Sequence, residues 1–400
     1  MKYDVIVVGA GIVGLAASLK LLEKNPNLKL LIIEKENDIA LHQTGNNSGV
    51  IHSGIYYKPG SLKAQNCTNG YKMLLDFCDK NDVKYDICGK IIVAVSEKEI
   101  PYMDKIFQRG NENGLTGIRK ISKAEMKEIE PHVDGVAGLI VPQTGIVDFT
   151  LVSKKYLELI KSYGGEIKLN EKVVNIIKST SGTAIVTEKN LYNSKTVLTC
   201  GGLQSDRIAK TTNKNLPLRI IPFRGEYYKL KKEKRNFVNN LIYPVPDPAF
   251  PFLGVHFTRM IDGDVECGPN AVLSFKREGY TKTSFSFKDS FDTFTWPGFY
   301  PVMKKNLRTG IGEFYRSFNK NAFVKALQRL IPEVSKDDLE EGGAGVRAQA
   351  CDNKGSLLDD FYIVESENII HVCNAPSPAA TASLSIGDFI ADKTLHFFNN

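Results

Sequence analysis

The chain has 400 residues, too many for one ordinary core, and 42% of them are hydrophobic, 10% aromatic and 24% charged. That balance excludes a disordered chain and suggests two domains. A net charge of +7, dispersed along the sequence, argues against a nucleic-acid protein and fits a small anionic partner or an anionic membrane surface.

In chain order, Val5-Ile6-Val7-Val8 has the pattern of a strand buried on both faces of a parallel sheet. Gly9-Ala10-Gly11-Ile12-Val13-Gly14 follows at once, and Ile12, Leu15, Ala16, Leu19 and Leu22 then recur at helical spacing until Asn25-Pro26. A second buried strand over 28–34 completes a βαβ unit. Residues 45–60 read as a functional loop and 62–78 as a helix. Ser122-Lys123-Ala124-Glu125 has capping-box spacing, with Pro131 ending the short helix, and 150–163 is a helix closed by Gly164-Gly165. The stretch 166–200 is strand-like. Residues 217–300, dense in β-branched, aromatic, Pro and Gly residues, predict an antiparallel sheet. A helix over 321–331 and a buried strand over 369–373 follow, and then a helix with Ser377 at its N-cap and Pro378 in first position. The expected organisation is a discontinuous nucleotide-binding domain with a β-rich domain inserted in it.

Seven cysteines at irregular spacings, without a CxxC pair, disfavour both a disulfide framework and a metal site. The start leaves no room for a cleavable signal, so the expected compartment is cytoplasmic. The apolar stretch 5–19 is too short and too glycine-broken to span a membrane.

The glycine loop carries definite chemistry. Gly9 allows the tight turn, Gly11 lets backbone approach a pyrophosphate, Gly14 lets helix pack on strand, and the helix N-terminus faces the anion. Glu34, twenty residues past Gly14, can accept the ribose hydroxyls, with Lys35 beside it. Thr44, Gly45, Asn47, Ser48 and Gly49, then Val173, then Cys200-Gly201-Gly202, Gly345 and the last helix offer contacts along a longer cofactor, which favours FAD over NAD. In that last helix Ser377, Pro378, Ala379, Ala380 and Thr381 can bring a positive helix end to a planar ring.

Beyond the fingerprint, Asn47-Ser48-Gly49-Val50-Ile51-His52-Ser53-Gly54-Ile55-Tyr56-Tyr57, Pro222-Phe223-Arg224-Gly225-Glu226-Tyr227-Tyr228, Tyr243-Pro244-Val245-Pro246-Asp247-Pro248, Pro251-Phe252-Leu253-Gly254-Val255-His256-Phe257-Thr258-Arg259 and Ala344-Gly345-Val346-Arg347-Ala348-Gln349-Ala350 are specific. On these segments the chain resembles the L-2-hydroxyglutarate oxidase/dehydrogenase family, within the D-amino-acid-oxidase-like flavoproteins. The resemblance implies an α/β fold, with a Rossmann-like FAD-binding domain (1–90, 146–215 and 340–400) and an antiparallel substrate domain (91–145 and 216–339). It also implies non-covalent FAD and oxidation of (S)-2-hydroxyglutarate to 2-oxoglutarate. An amine or amino-acid oxidase of the same superfamily and a non-catalytic flavin redox sensor are the alternatives.

Hydride abstraction from a carbinol needs a base for the hydroxyl proton, and imidazole suits it; His256 is preferred and His52 is the second candidate. A dicarboxylate needs two clamps: Arg347 is the first choice, and Tyr56, Arg259 and Arg224 compete for the second. The basic run 229–235 and the aromatics between 275 and 300 suggest an anionic membrane and a quinone as electron acceptor, with oxygen the other option.

Overall fold

Val5, Ile6 and Val7 have no exposure at all, and a strand apolar on both faces belongs at the centre of a sheet covered on both sides. In the computed structural model, which describes residues 2–179, 182–247 and 254–399, Lys2–Val8 takes that place. It pairs in parallel with Leu30–Ile33 on one side and Leu191–Thr199 on the other. Glu166–Lys168 and Ile369–Asn374 extend the sheet outward, again in parallel. An antiparallel ribbon, Val173–Ser179 and Gly182–Thr187, joins the N-terminal half of Leu191–Thr199, and Tyr362–Ser366 pairs with Ile369–Asn374, making eight strands. Helix Ile12–Lys24 packs on the C-terminal helix Ser383–Asn399, where a Cβ on Gly387 would stand 2.7 Å from the Ala16 backbone.

The second large sheet has nine strands. Its axis is the antiparallel pair Leu218–Leu230 and Leu339–Asp352, in register from Leu218↔Asp352 to Leu230↔Leu339 with one bulge near Tyr228. Lys90–Ala94, Leu241–Pro244, His256–Arg259 and Val265–Gly268 lie side by side within it. A small three-stranded sheet, Val50–Ile51, Gly145–Val147 and Tyr85–Asp86, completes the strands.

Three expectations are corrected. Residues 340–352, assigned with the cofactor half, are hydrogen-bonded along Leu218–Leu230 in the second sheet, because a strand of that length satisfies its backbone groups only by pairing. The sheet predicted over 217–300 stops at Val272–Leu273, and the aromatics beyond lie largely on helices Phe287–Phe294 and Phe299–Phe318. Ser286 accepts a hydrogen bond from the Asp289 backbone N–H, an N-cap signal that the dense aromatics obscure. The last helix does not start at Ser377. Residues 376–382 form successive turns, with bonds from Ala379 N–H to Pro376 O and Ala382 N–H to Pro378 O, and Thr381 turns its hydroxyl toward Val50 and His52. Of the specific segments quoted above, 248 and 251–253 lie outside the described residues.

Candidate active site

The glycine loop is shaped by what stands around it. Gly9 has φ +106°, and a Cβ there would lie 2.6 Å from the Cys200 carbonyl oxygen; one on Gly14 would lie 2.2 Å from the Gly9 oxygen. Strand, loop and helix therefore approach as only glycine permits. Glu34 accepts from the Ala10 and Glu36 N–H groups at 2.8 and 3.0 Å, and the Thr44 hydroxyl accepts from Ile12 N–H at 3.1 Å. Lys35 reaches His42 Nε2 at 2.9 Å and Glu278 at 3.0 Å.

One cavity of about 1700 Å³ runs from this loop into the second sheet. It exceeds the roughly 300–1,000 Å³ of an ordinary small-ligand pocket, as a dinucleotide cofactor with a substrate requires. Gly9, Gly11, Ile12, Val13, Gly14, Glu34, Lys35, Thr44, Asn47, Ser48, Val173, Cys200, Gly201, Gly202, Gly345, Ser377, Pro378, Ala379 and Ala380 line it, and so do His52, Tyr56, His256 and Arg347. Ala10, Gly45, Gly49 and Thr381 stand behind the wall. Gly49, at φ +66°, and Gly45 admit no Cβ, lying against the Val147 and Ala40 oxygens, and Thr381 accepts from the His52 N–H at 3.1 Å. The tight backbone at Gly9 and Gly14, the acid at Glu34 and the elongated cavity fit FAD.

His256 donates from Nδ1 to the Gly254 carbonyl at 2.8 Å, which leaves Nε2 as an acceptor. Its ring stacks on Tyr243 with centroids 3.9 Å apart. Burial pushes its pKa down to about 3, assisted by the charges of Arg347 and Lys90. His52 is likewise held at about 3, by burial first and then by Lys90, Lys63, His256 and Arg347; its Nε2 is 3.4 Å from the Ser377 hydroxyl. Both imidazoles are therefore neutral at neutral pH.

The structure removes two proposed clamps. Register pairs Phe223 with Arg347 and Arg224 with Val346, so Arg224 points to the opposite face from Arg347. There its guanidinium is buried against Glu226 at 2.8 Å and the Thr281 carbonyl at 3.0 Å. Arg259 is already held in an ion pair with Asp86. Sequence reading assigned no role to Tyr227 and Tyr243, which line the cavity, or to Lys90, which faces their side of the sheet. The signal for Lys90 was present: a lone cation heading the apolar run Ile91-Ile92-Val93-Ala94. His371, by contrast, is a satisfied core histidine between the Thr199 and Thr212 hydroxyls at 2.8 and 2.7 Å.

Residues 4–393 match the family model described as FAD dependent oxidoreductase. An L-2-hydroxyglutarate dehydrogenase of Indibacter alkaliphilus is 53% identical over 399 residues, covering all of both chains. That of Escherichia coli K12 is 44% identical over 392 residues, covering 98% of this chain and 93% of the relative. Among solved structures, the L-alpha-glycerophosphate oxidase of Mycoplasma pneumoniae with FAD bound superposes with a TM-score of 0.80 at 24% identity, covering 100% and 95% of the two chains. Glycine oxidase of Geobacillus kaustophilus gives 0.74 at 15%, covering 99% and 95%; these two show the shared fold. The dinucleotide loop, the cavity and the full-length likeness together place the chain in the FAD-dependent oxidoreductase family, alongside the L-2-hydroxyglutarate dehydrogenases.

Proposed function

We propose that the chain oxidises L-2-hydroxyglutarate to 2-oxoglutarate with non-covalent FAD. The observation that carries this reading is the meeting, in one cavity, of the dinucleotide loop, a neutral His256 with Nε2 available and the Arg347 guanidinium. The full-length relatives named L-2-hydroxyglutarate dehydrogenase support the substrate.

FAD, when bound, supplies the two-electron acceptor that takes the hydride from the carbinol carbon. His256 Nε2 accepts the hydroxyl proton as that hydride leaves, so both hydrogens are accounted for. Arg347 holds the carboxylate beside the reacting carbon through its planar fork, and its charge also favours the developing oxyanion character of the substrate oxygen. His52, fixed by Thr381 and Ser377, borders the same space and orients the substrate.

The electrons then pass to a quinone or to oxygen, and the quinone route is favoured by an exposed apolar face. Phe287 and Phe318 are 77% and 73% exposed, and Phe291, Ile311 and Tyr315 lie open on the same two helices. Exposed Lys288, Lys304, Lys305 and Arg308 accompany them, a combination suited to the surface of an anionic membrane. The basic run 229–235 contributes less, since Lys229 and Arg235 are paired with Asp264 and Lys234 with Asp338. Among the described residues no helix is long and apolar enough to cross a membrane, which leaves peripheral contact as the form proposed.

Anaerobic mixing of the holoprotein with 2-hydroxy and 2-amino acids, followed by flavin absorbance, tests the substrate. Bleaching by L-2-hydroxyglutarate is expected. Bleaching by sarcosine or glycine instead would sink the reading in favour of an amine oxidase. Reoxidation by a soluble quinone analogue faster than by air is the expected sign of the quinone route.

A further inference from the structure

A dicarboxylate needs a second anchor, and neither Arg224 nor Arg259 supplies one. Lys90 is 2% exposed at the head of strand Lys90–Ala94. It pairs with Leu241, which pairs with Thr258, so its side chain leaves the sheet on the same face as Thr258 and His256. The opposite face is packed by Ile91, Ile242 and Phe257. Its Nζ lies 4.5 Å from the Tyr56 ring centroid and 4.9 Å from that of Tyr243, so that Lys90 stands directly behind two tyrosines that line the cavity. Among the described residues no carboxylate forms an ion pair with it. The hydroxyl of the same Tyr56 is buried and has no hydrogen-bond partner among the described residues. A buried cation balanced only by aromatic faces is costly, and so is an unpaired buried hydroxyl; an anionic oxygen arriving from the cavity would relieve both.

We propose that Lys90 and the Tyr56 hydroxyl form the second carboxylate subsite, which holds the carboxylate remote from the reacting carbon while Arg347 holds the near one. The proposal rests on the reading of the cavity as a 2-hydroxy acid oxidation site and makes Lys90 the residue that selects dicarboxylates.

Lys90→Met and Lys90→Arg holoproteins are compared with the unaltered protein by anaerobic bleaching with L-2-hydroxyglutarate and with L-2-hydroxyvalerate, which lacks the remote carboxylate. Lys90→Met is expected to raise KM for the dicarboxylate on the order of 10- to 100-fold, the value of a charge-assisted hydrogen bond, with kcat little changed. Its constants for L-2-hydroxyvalerate stay put, and Lys90→Arg recovers part of the loss. Equal effects on both substrates, or none, overturn the proposal. Absence of bleaching by either substrate in the unaltered protein instead defeats the underlying reading.

A second arm leaves Lys90 in place, so it decides the matter even where Lys90→Met loses its flavin. Burial lowers the Lys90 pKa to about 7. Of the groups facing it, His52 and His256 are held at about 3, Cys67 and Tyr243 at about 12, and Tyr56 is raised further; Lys63 acts on the same histidines. Glu266, on the same row of the sheet face and raised to about 7 by burial, titrates in the same range and is replaced in a Glu266→Gln protein. In that protein, the preference for glutarate over valerate as competitive inhibitor is expected to fall at least tenfold between about pH 6 and about pH 9, as the Lys90 ammonium discharges. A flat preference overturns the proposal.

Discussion

At the scale of single residues, the two imidazoles of the cavity differ in what fixes them. His256 has its tautomer set by the Gly254 carbonyl and its plane set by Tyr243, whereas His52 is held mainly through its backbone and a long contact to Ser377. Replacing His256 by Asn should lower kcat/KM by roughly 10²- to 10⁴-fold, the usual range for a general base, as read from single-turnover bleaching. A loss under about tenfold would transfer the role to His52. Because burial depresses both pKa values to about 3, the base is already neutral at physiological pH, and no acidic limb of kcat/KM is expected near 6.5. The same depression has a stability consequence. His52 and His256, together with His371 at about 4, bind protons in the unfolded chain at a pH where the native protein leaves them neutral. Their contribution is fully present above the unfolded value of about 6.5 and is lost as pH falls from there toward 3–4. Urea midpoints should therefore decline between about pH 7 and about pH 5, and a triple replacement by Asn or Gln should flatten that slope. Lys90 obeys the same rule, since native burial expels its proton; Lys90→Met should unfold a few degrees higher at neutral pH while binding the dicarboxylate less well.

At the scale of elements, helices Phe287–Phe294 and Phe299–Phe318 stand out because their apolar residues look outward. An ordinary surface helix hides that stripe. Flotation with vesicles containing anionic lipid should carry the protein upward, and added salt should weaken binding as the cations are screened. Phe287→Ser with Phe318→Ser should abolish flotation without altering bleaching by substrate. Retained flotation in that protein would move the membrane contact elsewhere. The opposite situation holds at the first helix, where contact is too close to alter. Gly14→Ala would drive a methyl into the Gly9 carbonyl, so the purified protein is expected to come without yellow cofactor.

At the scale of the whole molecule, the cavity is lined by residues of both the mixed eight-stranded sheet and the nine-stranded one, so that a cofactor held in it would bridge the two. A ligand that binds only the native state stabilises it by about 2.7 kcal/mol at a hundred times its Kd. Stripping FAD should lower Tm, and adding it back should restore Tm in a concentration-dependent way. An unchanged Tm would mean that the cofactor contributes nothing to holding the sheets together.

Several features were legible in the residues themselves. Gly9, Gly11, Gly14 and Glu34 belong to one βαβ unit, whose local geometry follows directly from spacing along the chain, and the central position of Lys2–Val8 follows from its unbroken apolarity. His256, Arg347 and Tyr56 were also found as side chains of the cavity. The second clamp was not legible. Arg224 and Arg347 both read as plausible anchors, and only the register Phe223↔Arg347 shows that they face opposite ways, because a shift of one residue turns a strand side chain to the other face. For Lys90 the deciding contacts are Tyr56, on a loop, and Tyr243, more than 150 residues away along the chain and brought near by strand pairing. The sequence by itself determined the cofactor loop and the class of chemistry, since those depend on local geometry and residue type. Which cations face the cavity side was decided by tertiary structure, because that depends on which face of a distant pairing each side chain occupies.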